Sequence, residues 1–148
     1  MNKLTKILRV LDVNFNRSKE GLRVVEDIFR FVLENELLRK KTRRLRHKLN
    51  GLSHSQTLKK AIRHRDADND LGKGIDVLEM KRATIADVLY VNMQRVKEST
   101  RVLEEFFKLT EPKLVRLIKS IRYDLYTLEK AISMQFLSRG LAVGKRKN

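Results

Sequence analysis

The chain has 148 residues, enough for one domain with a hydrophobic core, and it lacks cysteine, which excludes disulfides and thiolate metal sites. Its 34 lysines and arginines outnumber its 18 aspartates and glutamates, and the net charge of +16 favours anionic ligands such as nucleic acid, acidic membrane or phosphorylated small molecules. No apolar run is long enough to span a bilayer, and no secretory signal pattern is present, so we expect a cytoplasmic protein.

Apolar residues recur at helical spacing along nearly the whole chain, and one proline and six glycines are too few for a protein of strands and turns. Thr84 is suited to cap a helix N-terminus, and Pro112 is suited to a first helical turn. The pattern therefore predicts an all-α fold with helices over residues 3–33, 36–49, 57–62, 82–109 and 111–137.

The first helix contains a sequence that returns later in the chain. VLDVNFNRSKEGLRVVEDIFR, residues 10–30, reappears 78 positions on as VLYVNMQRVKESTRVLEEFFK, with 11 of 21 positions identical. At the same offset Arg44 matches Arg122. Convergence would preserve an apolar pattern but not so many polar matches. We interpret the chain as a four-helix bundle of two duplicated hairpins related by a pseudo-two-fold axis. It divides into hairpin one over 3–50, a loop-rich linker with a short helix over 51–81, hairpin two over 82–137 and a basic tail over 138–148.

Two arginines interrupt the apolar face of the repeated helix, one in each copy. On a helical wheel Arg17 lies among valines beside Gly21, and Arg95 lies among valines beside Ser99. A buried guanidinium is costly unless it is paired. Two interpretations follow: structural Arg–Glu pairs between helices, or an anion-binding cleft at the pseudo-two-fold, for which the small residues would leave room.

The segment RHRDADNDLGKG, residues 63–74, is predicted to be a loop with clustered carboxylates. Its spacing resembles the start of a calcium loop, but Leu71 and Val77 stand where an EF-hand needs glycine and glutamate. The loop is either a solvated acidic segment or a place where Mg²⁺ meets one or two carboxylates and substrate phosphates. Composition and spacing alone thus predict a helical protein that binds phosphorylated ligands.

Three strings resemble a known family. They are LDVNFNRSKEGLRVVED over residues 11–27, the Arg65-Asp66 to Asp70 and Gly72 segment, and NMQRVKESTRVLEE over residues 92–105. The family is the small helical hydroxymethylpyrimidine phosphate kinase of thiamine biosynthesis, which occurs alone or fused to the N-terminus of thiamine phosphate synthase. The resemblance covers residues 8–129.

The resemblance implies that ATP phosphorylates 4-amino-5-hydroxymethyl-2-methylpyrimidine phosphate to the diphosphate. It also implies ATP and Mg²⁺ as cofactors and thiamine phosphate synthase as a functional partner. The ligands would then be phosphorylated small molecules rather than nucleic acid or membrane. The wide apolar arc of the first helix suits either a central helix or the interface of a homodimer.

Within that scheme we assign roles to residues as hypotheses that the family name does not supply. Arg17 and Arg95 would clamp phosphates from the two halves, and Arg65 would stabilise transition-state charge. Asp66 and Asp70 would bind Mg²⁺. Binding of substrate or phosphate would fall to amides and further arginines, namely Asn14, Asn16, Arg23, Asn92 and Arg101, of which the arginines could instead pair with neighbouring glutamates.

Two other classes compete with the enzyme. A nucleic-acid-binding bundle would use the cation-rich second helix and the basic tail, and its affinity would fall steeply with salt. A structural or assembly module would use its charges in inter-helix pairs and would bind no ligand.

Overall fold

A computed structural model of the protein describes residues 1–138, and within this range the chain is helical without strands, which confirms the all-α prediction. Four long helices follow the predicted order. A short helix lies between the second and third of them. The bounds are α1 Lys3–Asp27, α2 Glu36–Asn50, α3 Gln56–Ala61, α4 Ile85–Phe107 and α5 Val115–Ser138.

Polar side chains at the helix starts explain where the helices begin. The side chains of Asn2 and Asn35 accept hydrogen bonds from backbone N–H groups three residues on, at 2.8 and 3.0 Å. Thr84 caps α4 in the same way, and Asp87 returns a bond to the Thr84 N–H. This reciprocal arrangement satisfies two N–H groups that a helix start otherwise leaves unpaired. The predicted N-cap at Thr84 is confirmed.

The core lies between the four long helices, which contact one another in the order α1, α2, α5, α4 and back to α1. Each helix contributes one apolar stripe to this core. Its fully buried members include Phe29, Phe107, Leu11, Leu22, Leu49, Leu103, Ile121 and Leu125. Description of the fold as a four-helix bundle stays a prediction.

α1 and α4 cross closely, and the crossing displays the internal symmetry. The hydroxyl oxygens of Ser18 and Ser99 are 2.7 Å apart in the buried contact. A Cβ atom on Gly21 would lie 2.6 Å from a methyl group of Val96. At the 78-residue offset Ser18 corresponds to Val96 and Gly21 to Ser99, so each contact is the symmetry mate of the other.

One ion pair within each hairpin shows that α2 and α5, the second helices of the two hairpins, are not related by the 78-residue offset that relates α1 to α4. Glu26 pairs with Arg46 at 2.6 Å, and its repeat counterpart Glu104 pairs with Arg122 at 2.5 Å. The partners are 20 residues apart in the first hairpin and 18 in the second. The sequence-based match of Arg44 with Arg122 is therefore wrong, because α2 and α5 are related by 76 residues.

The first hairpin has two residues more than the second between the partners of its ion pair, and its backbone is irregular at the end of α1. Ile28–Val32 forms a π-helical turn, which holds one more residue per turn than an α-helix, and Glu34 adopts a positive φ of 47°. With the 76-residue offset the buried residues Leu45, Leu49 and Leu52 correspond to Ile121, Leu125 and Leu128. The apolar stripes of α2 and α5 thus coincide although the connections differ.

The first half of the segment between the hairpins packs on α1. α3, predicted over residues 57–62, buries Leu58 and Ala61 and contacts α1. A 3₁₀ turn over Ile62–His64 follows and then the predicted loop, while a further 3₁₀ turn occurs at Val77–Met80. The predicted basic tail, apart from Ser138, lies outside the described residues. Among the helices of the described part of the chain, none combines the length and the apolar character needed to cross a bilayer.

Candidate functional site

A charged cleft lies between the N-terminal half of α1 and the segment that follows α3. Its volume is about 510 Å³. Three cations and three carboxylates line it, together with an amide and small apolar side chains. These residues are Lys6, Arg9, Arg65, Asp12, Asp66, Asp70, Asn16, Val10, Val13 and Ala67.

The best-defined contact in the cleft is a two-pronged ion pair between α1 and the loop. Nε and Nη2 of Arg65 donate to the two carboxylate oxygens of Asp12, at 2.7 and 2.8 Å. The Asp12 side chain is 10% exposed, whereas that of Arg65 is 46% exposed. These hydrogen bonds from Arg65 to Asp12 raise the pKa of the guanidinium above its usual value. Arg65 is therefore a fixed positive charge, and the rest of its N–H groups are available to a ligand.

The loop after Arg65 is shaped by its own polar side chains. The Asp66 carboxylate accepts hydrogen bonds from the backbone and side chain of Asn69, at 3.0 to 3.2 Å, which lower its pKa. Asp70 accepts a bond from the Gly72 N–H at 2.8 Å. Arg9 of α1 donates to the Asp66 backbone carbonyl at 3.4 Å. These hydrogen bonds orient both carboxylates beside the cleft.

The donor set was compared with what Mg²⁺ requires. Within residues 1–138 no cluster of three or more histidine, aspartate or glutamate side chains could hold a metal ion on its own. Asp66 and Asp70 nevertheless supply hard oxygen atoms on one wall. That set fits an ion that arrives with the phosphates of a substrate and takes only one or two carboxylates from the protein.

Four of the residues predicted from the sequence come together in this cleft. Asn16 lies on the α1 wall, and Arg65, Asp66 and Asp70 lie on the loop wall. About fifty positions separate the two groups in the sequence, and the fold brings them together because α3 packs against α1.

The predicted interior position of the two repeated arginines is wrong. Arg17 and Arg95 are exposed, neither forms an ion pair with a described residue, and neither lines the cleft. The small residues beside them leave no room for a ligand, because Val96 fills the space next to Gly21. Small side chains here allow two helices to approach closely. The paired inter-helix glutamates expected under the structural interpretation do exist, but their partners are Arg46 and Arg122.

The other predicted binding residues also lie outside the cleft lining. The amide nitrogens of Asn14 and Asn92 donate to the carbonyls of Val10 and Val88, one turn earlier, at 2.9 and 2.8 Å. Exposed ion pairs engage the remaining two arginines. Arg23 contacts Asp27 at 3.5 Å, and Arg101 contacts Glu105 at 3.0 Å and Glu104 at 3.8 Å.

Sequence reasoning missed three charged residues of the cleft: Lys6, Arg9 and Asp12. Asp12 belongs to the polar arc of α1, where a carboxylate attracts no notice. A signal was nevertheless present, since Asp12 corresponds to Tyr90 in the second copy and is thus not required by the repeated helix. Positions at which the two copies of the repeat differ indicate a function that only one copy has.

The fold and cleft define an all-α repeat protein with a charged pocket beside its first helix. The chain belongs to the ThiD2 family, whose model matches residues 9–131. It is 40% identical over 129 residues to a thiamine-phosphate synthase of Synechocystis sp., covering 86% of this chain and 36% of that protein. A thiamine-phosphate synthase of Nostoc punctiforme is 41% identical over 124 residues, with 83% and 34% covered. A thiamine-phosphate synthase of Gloeobacter violaceus is 38% identical over 140 residues, which cover 94% of this chain and 40% of that protein.

The chain therefore spans 34–40% of the length of these curated relatives. No solved structure matches it.

Proposed function

We propose that this protein acts in thiamine biosynthesis as a kinase that converts 4-amino-5-hydroxymethyl-2-methylpyrimidine phosphate and ATP into the pyrimidine diphosphate and ADP. The observation that carries the proposal is a cleft that combines Arg65, Lys6 and Arg9 with Asp66 and Asp70 in a member of the ThiD2 family. Guanidinium and ammonium groups suit phosphate oxygens, and carboxylates suit the accompanying metal ion.

The names of the relatives support the pathway. They are thiamine-phosphate synthases, and this chain matches little more than a third of each. A kinase that acts on the pyrimidine monophosphate would supply such a synthase with a diphosphate substrate.

The proposed reaction needs little from the protein beyond charge and position. An oxygen of the substrate phosphate attacks the γ-phosphorus of ATP, and the bond from that phosphorus to the ADP oxygen breaks. The attacking phosphate is mostly ionised near pH 7, because its second pKa is about 6, so no general base is required. The work that remains is to bring two anionic groups into line and neutralise them.

Arg65 is the residue we assign to that neutralisation. Asp12 fixes its guanidinium through Nε and Nη2, and Arg65 lines the cleft, so its other N–H groups are free to donate to a phosphate. Lys6 and Arg9 add two cations on the opposing helix, and Asn16 offers an amide. Mg²⁺ bound to ATP would supply charge neutralisation at the phosphates, and Asp66 and Asp70 are the residues that would hold it.

The direct test is an ADP-release assay with Mg-ATP and the pyrimidine monophosphate, run beside the unphosphorylated alcohol. We expect turnover with the monophosphate alone, since the site binds a phosphate. If protein that is folded by circular dichroism releases no ADP with either substrate, the proposal is refuted. A parallel assay for thiamine phosphate formation tests the activity that the relatives' name describes.

Arg65→Lys tests the assignment within the enzyme. Lysine keeps the charge but loses the two-pronged contact with Asp12, so kcat/KM should fall at least tenfold, about 1.4 kcal/mol in transition-state stabilisation. The matched control is Arg63→Lys, an exposed arginine two positions earlier that does not line the cleft. Equal kinetics for the two variants would remove Arg65 from the site.

A further inference from the structure

A second charged surface lies on α2 and on the adjacent part of α5, and it shares no residue with the cleft. α2 contains seven lysines and arginines and one acidic residue, Glu36. Four of the cations, Lys40, Lys41, Arg43 and Arg44, are exposed. Of these four, Lys40 alone forms an ion pair with a described residue, at 3.3 Å from Glu36. The helix thus presents several cations that the protein itself does not neutralise.

A groove between α2 and α5 continues this surface. Its volume is about 300 Å³, with Lys41, Arg44 and Lys48 on one wall and Asp124 and Thr127 on the other. Lys48 donates to Asp124 at 2.6 Å, so the single carboxylate in the lining is already paired. Lys41 and Arg44 are left as the free charges of the groove.

The repeat shows that two of the four exposed cations are not needed for this helix to form. At the 76-residue offset that relates α2 to α5, Lys41 corresponds to Leu117 and Arg44 to Ser120, whereas the other two cations have basic counterparts in α5. Cations at neighbouring helical positions repel one another and destabilise the helix by a few tenths of a kcal/mol per pair. α5 forms the equivalent helix without cations at two of these positions, so the presence of Lys41 and Arg44 on α2 indicates an anionic partner.

Two aromatic side chains are exposed on α5, and one of them, Tyr123, lies one helical turn before the groove residue Thr127. Tyr123 is 59% exposed and Tyr126 is 43% exposed, and their rings meet edge to face at 5.7 Å between centroids. The Tyr126 hydroxyl accepts a hydrogen bond from Arg122 at 2.9 Å, which holds that ring in place. An exposed aromatic ring near a basic groove, here the ring of Tyr123, is a surface on which an unpaired base can stack.

We propose that the surface formed by α2 and the flanking part of α5 binds single-stranded nucleic acid. Lys40, Lys41, Arg43 and Arg44 contact successive phosphates, and Tyr123 stacks on a base. The four residues lie within about 6 Å along the axis of α2 and spread around its surface, so they follow an extended strand that crosses the helix toward the groove and α5. This activity is independent of the kinase proposal.

The test uses a labelled 20-nucleotide single strand of mixed sequence and fluorescence anisotropy at 50 and 200 mM NaCl. Four phosphate contacts predict an affinity about 50-fold weaker at the higher salt, from a slope of about 0.7 per contact. A variant with Lys40, Lys41, Arg43 and Arg44 changed to glutamine should bind at least tenfold more weakly at 50 mM and lose most of the salt dependence.

The matched control changes four other exposed cations, Lys59, Lys60, Lys81 and Arg82, to glutamine, with the same change in net charge. It should keep the affinity within twofold. Equal losses in both quadruple variants would overturn the proposal, because bulk charge would then account for binding. Both proteins are checked for helicity by circular dichroism and for ADP release with the pyrimidine monophosphate.

Tyr123→Ala separates single strands from duplexes. Loss of one stacked base should weaken single-strand binding at least fivefold and leave duplex binding unchanged. An unchanged single-strand affinity, or a duplex bound as tightly as the single strand by the wild-type protein, would refute the role assigned to Tyr123 and to unpaired bases.

Discussion

Gly21→Ala probes the close crossing of α1 and α4, and its effect can be worked out from the structure. The added methyl carbon would lie 2.6 Å from a Val96 methyl and 3.2 Å from the Asn92 carbonyl oxygen. Valine is β-branched and cannot rotate freely, so the helices must move apart. Overpacking of this kind costs about 1–3 kcal/mol, while alanine gains about 1 kcal/mol in helix propensity. We expect a net destabilisation of about 1 kcal/mol.

Gly51→Ala provides the matched control. Gly51 has φ of −56°, and a Cβ atom there would meet nothing within 4 Å. The same substitution should therefore stabilise the protein by about 0.4–1 kcal/mol. Urea unfolding followed by circular dichroism measures both variants, with an unchanged m-value as the condition for comparing free energies.

The double variant Gly21→Ala with Val96→Ala identifies the cause. Removal of the Val96 methyl should relieve part of the overpacking, so the two effects should fall short of additivity by about 1 kcal/mol. If Gly21→Ala stabilises the protein as much as Gly51→Ala does, the close crossing of α1 and α4 is refuted. Strict additivity in the double variant would place the clash elsewhere.

Further predictions concern the ion pairs. Glu104→Gln should lower the free energy of unfolding by about 2 kcal/mol, because it leaves the mostly buried Arg122 without its carboxylate. Thermal unfolding measures this loss, with the exposed-site variant Glu98→Gln as the control. Equal stabilities of the two variants would contradict the prediction. Hydrogen bonds from Arg39, and then from Lys40, lower the pKa of Glu36 from 4.5 to about 2. Because the folded-state pKa is depressed, its contribution to stability should be complete above pH 4.5 and disappear as the pH falls through 2. A Glu36 carboxyl carbon that titrates near 4.5 by NMR would contradict this.

Helix positions in this protein follow from its sequence because local signals agree. Apolar spacing, the Thr84 cap and Pro112 all indicate the same boundaries, and α1, α2, α4 and α5 begin and end close to the predicted residues. The offset between α2 and α5 could not be predicted in the same way. It depends on two extra residues between the helices of the first hairpin, where a π-helical turn ends α1, and these residues leave no pattern in the amino-acid types.

The cleft was predictable only in part, for a reason that Arg17 and Asp12 illustrate. A helical wheel places Arg17 among valines, but it does not say whether another helix covers that face. Here the face stays open, so the arginine is exposed. Asp12 looks like an ordinary surface carboxylate until α3 brings Arg65 against it. The burial of a side chain and its ion-pair partner depend on the tertiary structure, and the apolar periodicity of the sequence predicts neither.

The exchange of contacts at the crossing of α1 and α4 has a consequence for the origin of the molecule. A pair of contacts that swap under a two-fold rotation is the interface of a symmetric dimer. An ancestral hairpin of half this length could have associated with its own copy through the same surface, with its residues constrained to serve both positions at once. Joining the copies into one chain removes that constraint, so each copy can change by itself. Asp12 in the first copy and Tyr90 at the equivalent position of the second are an example. Duplication and fusion thereby let a symmetric scaffold acquire a one-sided cleft.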